Sequence, residues 1–292
     1  MKIRHLKNNE IDYKAYDFCI ENSSQGTMYA MSWYLDVVSP QWELLMADDY
    51  NFVMPIPVKK KYFLKYAIQP YLCQQLGVFS LKELTSEIFI SFIKKISYKY
   101  CHFFLNANNV FDGSMNFNLR SNYELDLSRS YDEIKAGFST NCLRNIKKAE
   151  KEELEIENQT EENIYLDFLL ANSENRPIKH PTNILQDIIE SVTQHSKIEI
   201  WSVRNKNQNL LSCALFLKWK NRFYYFVPVS AKEGKLKQSM SYLLDGFIKH
   251  YAQSEFVLDF EGSSIANIAR FYKGFGSQNK PYPELRKKNL LV

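Results

Sequence analysis

Two carboxylates near the end of the chain, Asp259 and Glu261, have the types and spacing to handle protons. They break the apolar run that begins at Phe256, which predicts a buried strand, and side chains two apart on a strand point to the same face. A carboxylate can take a proton from a reacting group. The pair therefore predicts general-base catalysis, directly or through water. The alternative is a solvated strand face, followed by Ser263 or Ser264 as an ordinary helix cap.

A helix predicted at 265–276 follows this strand, with Gly276 as its stop signal. It carries Tyr272, a candidate catalytic residue that could give a proton to the leaving group. Its two cations, Arg270 and Lys273, are candidates for binding the substrate.

Tyr224 and Tyr225 stand side by side in an earlier predicted strand. A phenol can donate a hydrogen bond to a developing oxyanion or a proton to a leaving group. We therefore expect Tyr225 to be catalytic together with Tyr272, and Tyr224 to contact the substrate.

Two groups of cations are candidates for binding phosphate. Arg144 and Lys147 lie opposite the apolar stripe of a predicted helix, and Lys235 and Lys237 lie in a predicted loop after a strand. Each group has a simpler interpretation as solvated surface charge.

Gln74 and Gln75 stand between apolar residues just after Pro70. Buried amides need hydrogen-bond partners, so the two side chains either hold backbone or face a ligand, and we expect them as substrate-binding candidates. Lys59, Lys60 and Lys61 are expected in a turn, either as a solvated tip or as an attractor of phosphate.

Size and composition indicate a fully folded chain of two domains. The 292 residues are 45% hydrophobic and 15% aromatic, with few glycines and prolines, which argues against long disordered segments. The formal charge of +4 comes from 37 basic and 33 acidic residues and is too small for a protein that coats nucleic acid.

Location and metal content are predicted from what the sequence lacks. The N-terminus shows no signal-peptide pattern and no apolar stretch is long enough to span a membrane, so we expect a cytoplasmic protein. The five cysteines form no C-x-x-C pair, which predicts buried thiols and neither a disulfide framework nor a metal site. A cysteine nucleophile is the weaker alternative.

The first part of the chain mixes strands and helices. Alternating apolar residues and turn signals predict strands at 42–47, 52–58 and 62–71, a turn at 48–51, a helix at 81–100 and a strand at 101–105.

The second part has an order that fixes its topology. The predicted elements are a strand at 123–127, a helix from 130 with an apolar stripe to 149, helices at 161–175 and 182–195, strands at 198–203, 210–219 and 222–229, a helix at 238–251 and the strand at 256–260. The helix at 238–251 is a crossover, so the strand after it can lie parallel to the strand before it and splay from it.

Three passages of this second part resemble Fem-type tandem GNAT proteins. They are the basic helix 138–149, the meander 210–230, and the ending from Asp259-Phe-Glu-Gly262 to Phe275-Gly276. The resemblance implies an α/β (α+β) fold with two GNAT-like units in tandem, a degenerate one at 1–122 and a second at 123–292. Both would contain mixed, mostly antiparallel sheets flanked by helices.

The same resemblance implies an N-acyltransferase. It would move an acyl or aminoacyl group from acyl-CoA or aminoacyl-tRNA to the amine of a small molecule or peptide, in cell-envelope or polysaccharide metabolism. No tightly bound cofactor is expected, and acyl-CoA would act as a co-substrate. Residues 230–239 contain a single glycine and depart from the GNAT pyrophosphate pattern [RQ]-x-x-G-x-[GA], which favours the alternative of a non-catalytic ligand-binding module.

Overall fold

Both helices and strands occur in the residues that the computed structural model describes, 1–111, 117–172, 182–262 and 265–288. The α-helices are α1 (Tyr13–Asn22), α2 (Ser32–Val38), α3 (Ser86–Lys95), α4 (Tyr131–Ala136), α5 (Thr140–Glu150), α6 (Glu162–Ala171), α7 (Thr182–His195), α8 (Lys232–Leu236), α9 (Ser239–Tyr251) and α10 (Ala266–Gly274). Within the described ranges, none of the helices has the length and apolar character needed to span a membrane.

The strands are β1 (Arg4–Leu6), β2 (Glu43–Ala47), β3 (Phe52–Ile56), β4 (Val58–Lys61), β5 (Leu64–Ile68), β6 (Phe79–Ser80), β7 (Tyr100–Phe104), β8 (Asn118–Arg120), β9 (Tyr123–Asp126), β10 (Glu155–Glu157), β11 (Lys197–Arg204), β12 (Leu210–Trp219), β13 (Arg222–Ser230), β14 (Val257–Asp259), β15 (Gln278–Asn279) and β16 (Tyr282–Lys288). They form sheets with the orders β1-β2-β3-β6, β4-β5-β7-β16-β8 and β10-β11-β12-β13-β14-β9-β15. Pairing is parallel between β5 and β7 and between β13 and β14, and antiparallel between the other neighbours. The predicted mixed, mostly antiparallel fold is confirmed.

The chain divides into two compact units whose segments interleave along the sequence. Unit 1 comprises Met1–Ser121, His180–Ser191 and Pro281–Val292, and unit 2 comprises Asn122–Lys179 and Val192–Lys280. The last strand, β16, lies in unit 1 because it pairs with β7 on one side and β8 on the other. A division into 1–122 and 123–292 would instead place β16 in the second domain.

In unit 1 the predicted hairpin forms, but the elements after it differ from the prediction. β2 and β3 are joined through Asp48, Asp49 and Tyr50, all with positive φ. The three lysines expected in the next turn belong to strand β4 instead, because Lys61 pairs with Leu64 of β5 and the turn is Tyr62 and Phe63. The helix predicted at 81–100 is only α3, which Thr85 caps by accepting from the Ile88 N–H.

In unit 2 the helix predicted from residue 130 is two helices. Ser130 and Glu133 form a capping box at the start of α4, and Ser139 caps α5 by accepting from the Cys142 N–H. The predicted apolar stripe is nevertheless buried along both helices: Ile134, Phe138, Cys142, Ile146 and Ala149. Local capping chemistry therefore divides the helix without changing which face packs on the core.

The predicted meander and crossover of unit 2 are confirmed. β11, β12 and β13 pair antiparallel, and α9 crosses over so that β14 lies parallel to β13. Phe247 of α9 stacks on Phe216 of β12 with ring centroids 3.8 Å apart, which fixes the crossover helix on the sheet. Helix α10 is held in the same way, because Tyr272 and Phe275 stack on Phe260 at 5.2 and 5.9 Å.

A partly buried ion cluster joins the strands at the centre of this sheet. Arg222, the first residue of β13, contacts Glu124 of β9 and Asp259 of β14, each at 2.8 Å. Asp259 is 3% exposed, so its charge depends on this partner.

Replacement of Arg222 by Met should lower the free energy of unfolding by about 3 kcal/mol, because Asp259 and Glu124 would then be left close together without their cation. Urea unfolding followed by circular dichroism measures the change. The matched control is Lys206→Ala, which breaks an ion pair with Glu153 whose side chains are 71% and 75% exposed and should cost less than about 1 kcal/mol. Equal losses in the two variants would contradict the importance of the cluster.

Candidate active site

A cleft opens in unit 2 where β13 and β14 part. The two strands pair in register from Arg222 with Val257 to Tyr224 with Asp259. β14 then ends, whereas β13 continues to Ser230. The space beyond the last pair is a cleft of about 470 Å³, lined by Tyr225, Pro228, Val229, Ser230, Lys235, Met240, Asn267, Ile268, Phe271 and Tyr272.

A β-bulge shapes the β13 wall of the cleft. Cys213 pairs with Val229 and Leu215 with Phe226, so Val227 and Pro228 lie opposite one residue of β12. Val227 has a φ of +42°, which a β-branched residue adopts only under strain. The Tyr165 hydroxyl donates to the Val227 carbonyl at 2.9 Å and helps hold this conformation. The bulge changes the side-chain alternation of β13, and Pro228, Val229 and Ser230 then all line the cleft.

Two phenols, those of Tyr225 and Tyr272, meet inside the cleft. Their rings are 6.0 Å apart and nearly perpendicular. Their side chains are 2% and 9% exposed, and among the described residues neither hydroxyl has a hydrogen-bond partner. Burial raises the pKa of both phenols, and the negative charge of Glu261 raises the pKa of Tyr272 further. Both hydroxyls are therefore protonated at neutral pH and can donate to a molecule in the cleft.

Ser230 ends a chain of hydroxyls whose direction is determined. Ser239 donates to the Gly234 carbonyl at 3.1 Å, and the Ser212 hydroxyl lies 2.6 Å from Ser239 and 2.7 Å from Ser230. A serine has one hydrogen to donate, so Ser212 must donate to Ser239, and Ser230 to Ser212. The Ser230 oxygen consequently presents only acceptor capacity to the cleft.

The segment 230–239, which was expected to be a loop, contains the short helix α8. A Cβ on Gly234 would lie 2.2 Å from the Leu211 carbonyl oxygen, so this glycine allows α8 to approach β12 closely. Lys235 is exposed on the rim of the cleft. Lys237 does not line it and forms ion pairs with Glu152 at 3.2 Å and Glu233 at 3.3 Å.

The carboxylate pair that the sequence singled out is divided by a turn. β14 ends at Asp259, and Glu261 has a φ of +60°, so the two do not alternate along one strand and the expected shared strand face is wrong. Asp259 accepts from the Glu261 N–H at 2.8 Å and from Arg222, which makes it a structural residue of the turn. Glu261 is half-buried, and its charge acts on Tyr272. Ser263 and Ser264 lie outside the described residues.

Other predicted site residues of unit 2 lie away from the cleft lining. Tyr224 is buried opposite Asp259 in the sheet, on the strand face opposite to Tyr225. Arg270 and Lys273 are exposed on α10, and the Lys273 ammonium lies 5.7 Å from the Tyr123 ring. Arg144 and Lys147 are exposed on α5, where Arg144 donates to Asn141.

The predicted glutamines belong to unit 1, where Gln75 holds backbone. The Gln75 amide oxygen accepts from the Ala107 N–H at 3.2 Å, and its amide nitrogen donates to Gln74 at 2.8 Å. The Gln75 contact matches the structural alternative, and substrate binding by Gln74 and Gln75 stays a prediction.

Three of the predicted site residues thus line the cleft: Tyr225, Lys235 and Tyr272. The sequence assigned no role to the other lining residues, which include Ser230 and Asn267. One signal was available, since a proline inside a central strand, here Pro228, indicates a bulge.

The described residues contain no cluster of His, Cys, Asp or Glu that could hold a metal ion. All five cysteines are buried. Burial raises the pKa of Cys19, Cys101, Cys142 and Cys213 to about 12, so these thiols are not ionised at neutral pH.

Comparison with solved structures identifies the fold. No family model matches the sequence, and no curated protein matches it. FemX has a TM-score of 0.66 and 12% identity, with 99% of this chain and 97% of that chain covered. The C-terminal domain of a putative lysylphosphatidylglycerol synthetase from Agrobacterium fabrum has a TM-score of 0.60 and 9% identity, with 95% and 92% covered. A GNAT-family acetyltransferase from Colwellia psychrerythraea has a TM-score of 0.56 and 13% identity, with 99% and 100% covered. The chain therefore has a FemX-like and GNAT-like fold.

Proposed function

We propose that this protein is an N-acyltransferase that moves an acyl or aminoacyl group from an activated donor to an amine. The observation that carries the proposal is the pair of buried phenols, Tyr225 and Tyr272, whose hydroxyls face a cleft in the acyltransferase-type fold. Both side chains are buried, and their hydroxyls are available at the cleft surface to donate to a bound substrate. The GNAT-family acetyltransferase, one of the solved structures with this fold, supports the same reaction class.

The phenols can serve the chemistry of acyl transfer in two ways. The amine nitrogen attacks the carbonyl carbon, a C–N bond forms, and the C–S bond of a thioester or the C–O bond of an ester breaks. One phenol donates a hydrogen bond to the carbonyl oxygen as it becomes an oxyanion, and the other protonates the leaving sulfur or oxygen. We assign protonation to Tyr272.

The proton balance needs an acceptor for the amine proton. Glu261, whose charge acts on Tyr272, can take that proton through water and return it to the phenol after the leaving group departs. Ser230 can accept a hydrogen bond from the amine N–H because its own hydrogen is bound to Ser212. The catalytic cycle then transfers one proton from the amine to the leaving group.

The donor is either acyl-CoA or aminoacyl-tRNA, and the acceptor a small molecule or peptide amine. Lys235 on the cleft rim provides a positive charge for a phosphate of either donor. Residues 230–239 contain a single glycine where the GNAT pattern is [RQ]-x-x-G-x-[GA], which favours a donor held by side-chain charge over one held by backbone amides.

An assay of both donors tests the proposal. The full-length protein is incubated with acyl-CoA or aminoacyl-tRNA and a panel of amines, and the amide product is measured by mass spectrometry. Transfer from either donor supports the proposal. Donor binding by calorimetry without any transfer would overturn it in favour of a non-catalytic binding module.

Replacement of Tyr272 by Phe should lower kcat by about 100-fold, because it removes the proton donor while keeping the ring stacked on Phe260. Tyr225→Phe should have a similar effect by removing a hydrogen bond to the oxyanion. Steady-state kinetics with the active donor measure both. Tyr251→Phe is the matched control, since this tyrosine donates to Glu199 and does not line the cleft. A kcat in Tyr272→Phe equal to that of the control would contradict the assignment.

The dependence of kcat/KM on pH should rise until the acceptor amine is deprotonated and should show no fall up to about pH 10. The reason is that the pKa of Tyr225 and that of Tyr272 are both raised, so neither phenol loses its proton in this range. A pH–rate profile with a stable amine acceptor measures this. A descending limb below pH 9 that disappears in Tyr272→Phe would show that the phenol ionises early and would refute the raised pKa.

A further inference from the structure

The hairpin tip of β4 and β5 in unit 1 exposes three consecutive apolar side chains. The β4–β5 tip consists of Lys59, Lys60, Lys61, Tyr62, Phe63, Leu64 and Lys65. Tyr62 is 83%, Phe63 97% and Leu64 76% exposed, more than any other large hydrophobic side chain in the described ranges. Such exposure in a row is unfavourable in water unless another surface covers it.

The turn residues of this tip are not those that the backbone favours. Tyr62 and Phe63 form the two-residue connection, and Tyr62 has a φ of +54°. Two-residue hairpin turns with positive φ favour Asn or Gly, which adopt this conformation with less strain. The fold itself therefore gives no reason for two aromatic residues at this position.

The arrangement of the lysines also lowers the local stability of the tip. Lys60 lies directly opposite Lys65 across the two strands, and like charges in this position repel each other. Lys65 is paired with Glu43 at 2.9 Å. Within the described ranges, Lys59, Lys60 and Lys61 form no ion pair with a carboxylate, which leaves three positive charges beside the apolar tip.

Protection of a sheet edge explains only part of this pattern. β4 is an edge strand of its sheet, and lysines on an edge strand discourage pairing with another chain. An exposed Tyr-Phe-Leu sequence at the same edge would have the opposite effect. The combination of basic and apolar side chains is instead typical of segments that enter the interface of an anionic bilayer.

We propose that the β4–β5 tip binds the surface of a membrane that contains anionic lipids. Tyr62, Phe63 and Leu64 enter the headgroup and upper acyl region, and Lys59, Lys60 and Lys61 remain at the level of the lipid phosphates. A nucleic acid is the other polyanion that would match the charge. Leu64 cannot stack on a base, and a protruding two-residue turn offers no groove for a strand, so the tip matches a bilayer better.

Vesicle sedimentation of the full-length protein tests this proposal. Binding to phosphatidylcholine vesicles that contain phosphatidylglycerol should exceed binding to phosphatidylcholine alone. Combining Lys59→Gln, Lys60→Gln and Lys61→Gln should lower the partition coefficient on the order of 100-fold. Combining Phe63→Ser and Leu64→Ser should lower it at least about tenfold.

Matched controls in unit 1 carry the same changes away from the tip. Lys94→Gln with Lys95→Gln removes two exposed lysines of α3, and Leu119→Ser removes a leucine that is 55% exposed on β8, at the other edge of the same sheet. Both should bind the vesicles as the wild-type protein does. Losses in these controls equal to those of the tip variants would overturn the proposal.

A fluorescence measurement reports the depth of the tip directly. In Phe63→Trp, vesicles that contain phosphatidylglycerol should shift the emission to shorter wavelength, and brominated lipids should quench it. Leu119→Trp should show neither change. The proposal is overturned if Phe63→Trp behaves as Leu119→Trp does, if the wild-type protein does not bind the vesicles, or if tRNA binding instead of vesicle binding is lost in the tip variants.

Discussion

The ion cluster of Arg222 with Glu124 and Asp259 is the interaction on which the architecture of unit 2 depends. It fixes the start of β13 against β9 and β14, so these strands remain paired there. Asp259 also accepts the N–H of Glu261, which turns the chain away from the sheet. The buried carboxylate of Asp259 thus has two effects. It holds β13 and β14 together through Arg222, and it ends β14, which would otherwise fill the cleft.

The walls of the cleft are built from elements that pack for other reasons. Helix α10 carries Tyr272 into the cleft because its ring stacks on Phe260, while the Tyr165 hydroxyl holds the bulge that directs the end of β13. Gly276, with a φ of +75°, lies against Gly137, where a side chain would come within 3.0 Å of the Gly137 oxygen. Phe275 and Gly276, which end the passage that resembles Fem-type proteins, therefore position α10. The candidate reactive residue Tyr272 precedes them in the chain.

Local patterns predicted the order of elements in unit 2. Residue type singled out Tyr225, Tyr272 and Lys235 as site candidates, and all three line the cleft. The crossover followed from the length of the helix between β13 and β14. Ser230 and Asn267 could not be predicted, because their place depends on a bulge and on the rotation of α10. Lys237 was assigned to phosphate binding because sequence alone does not show that Glu152, 85 positions earlier in the chain, pairs with it. The prediction that Asp259 and Glu261 share a strand face was wrong because β14 ends at Asp259.

The hydroxyl chain from Gly234 to Ser230 gives one wall of the cleft a fixed polarity. The Gly234 carbonyl can only accept, and this requirement passes through Ser239 and Ser212 to the cleft surface. The Gly234 carbonyl oxygen does not line the cleft, yet because of it a molecule in the cleft must donate a hydrogen bond to Ser230. A ligand that offers only lone pairs at this position, such as an ether, would place its oxygen against the Ser230 oxygen with no hydrogen between them. The buried serines therefore select for ligands that donate a hydrogen bond here.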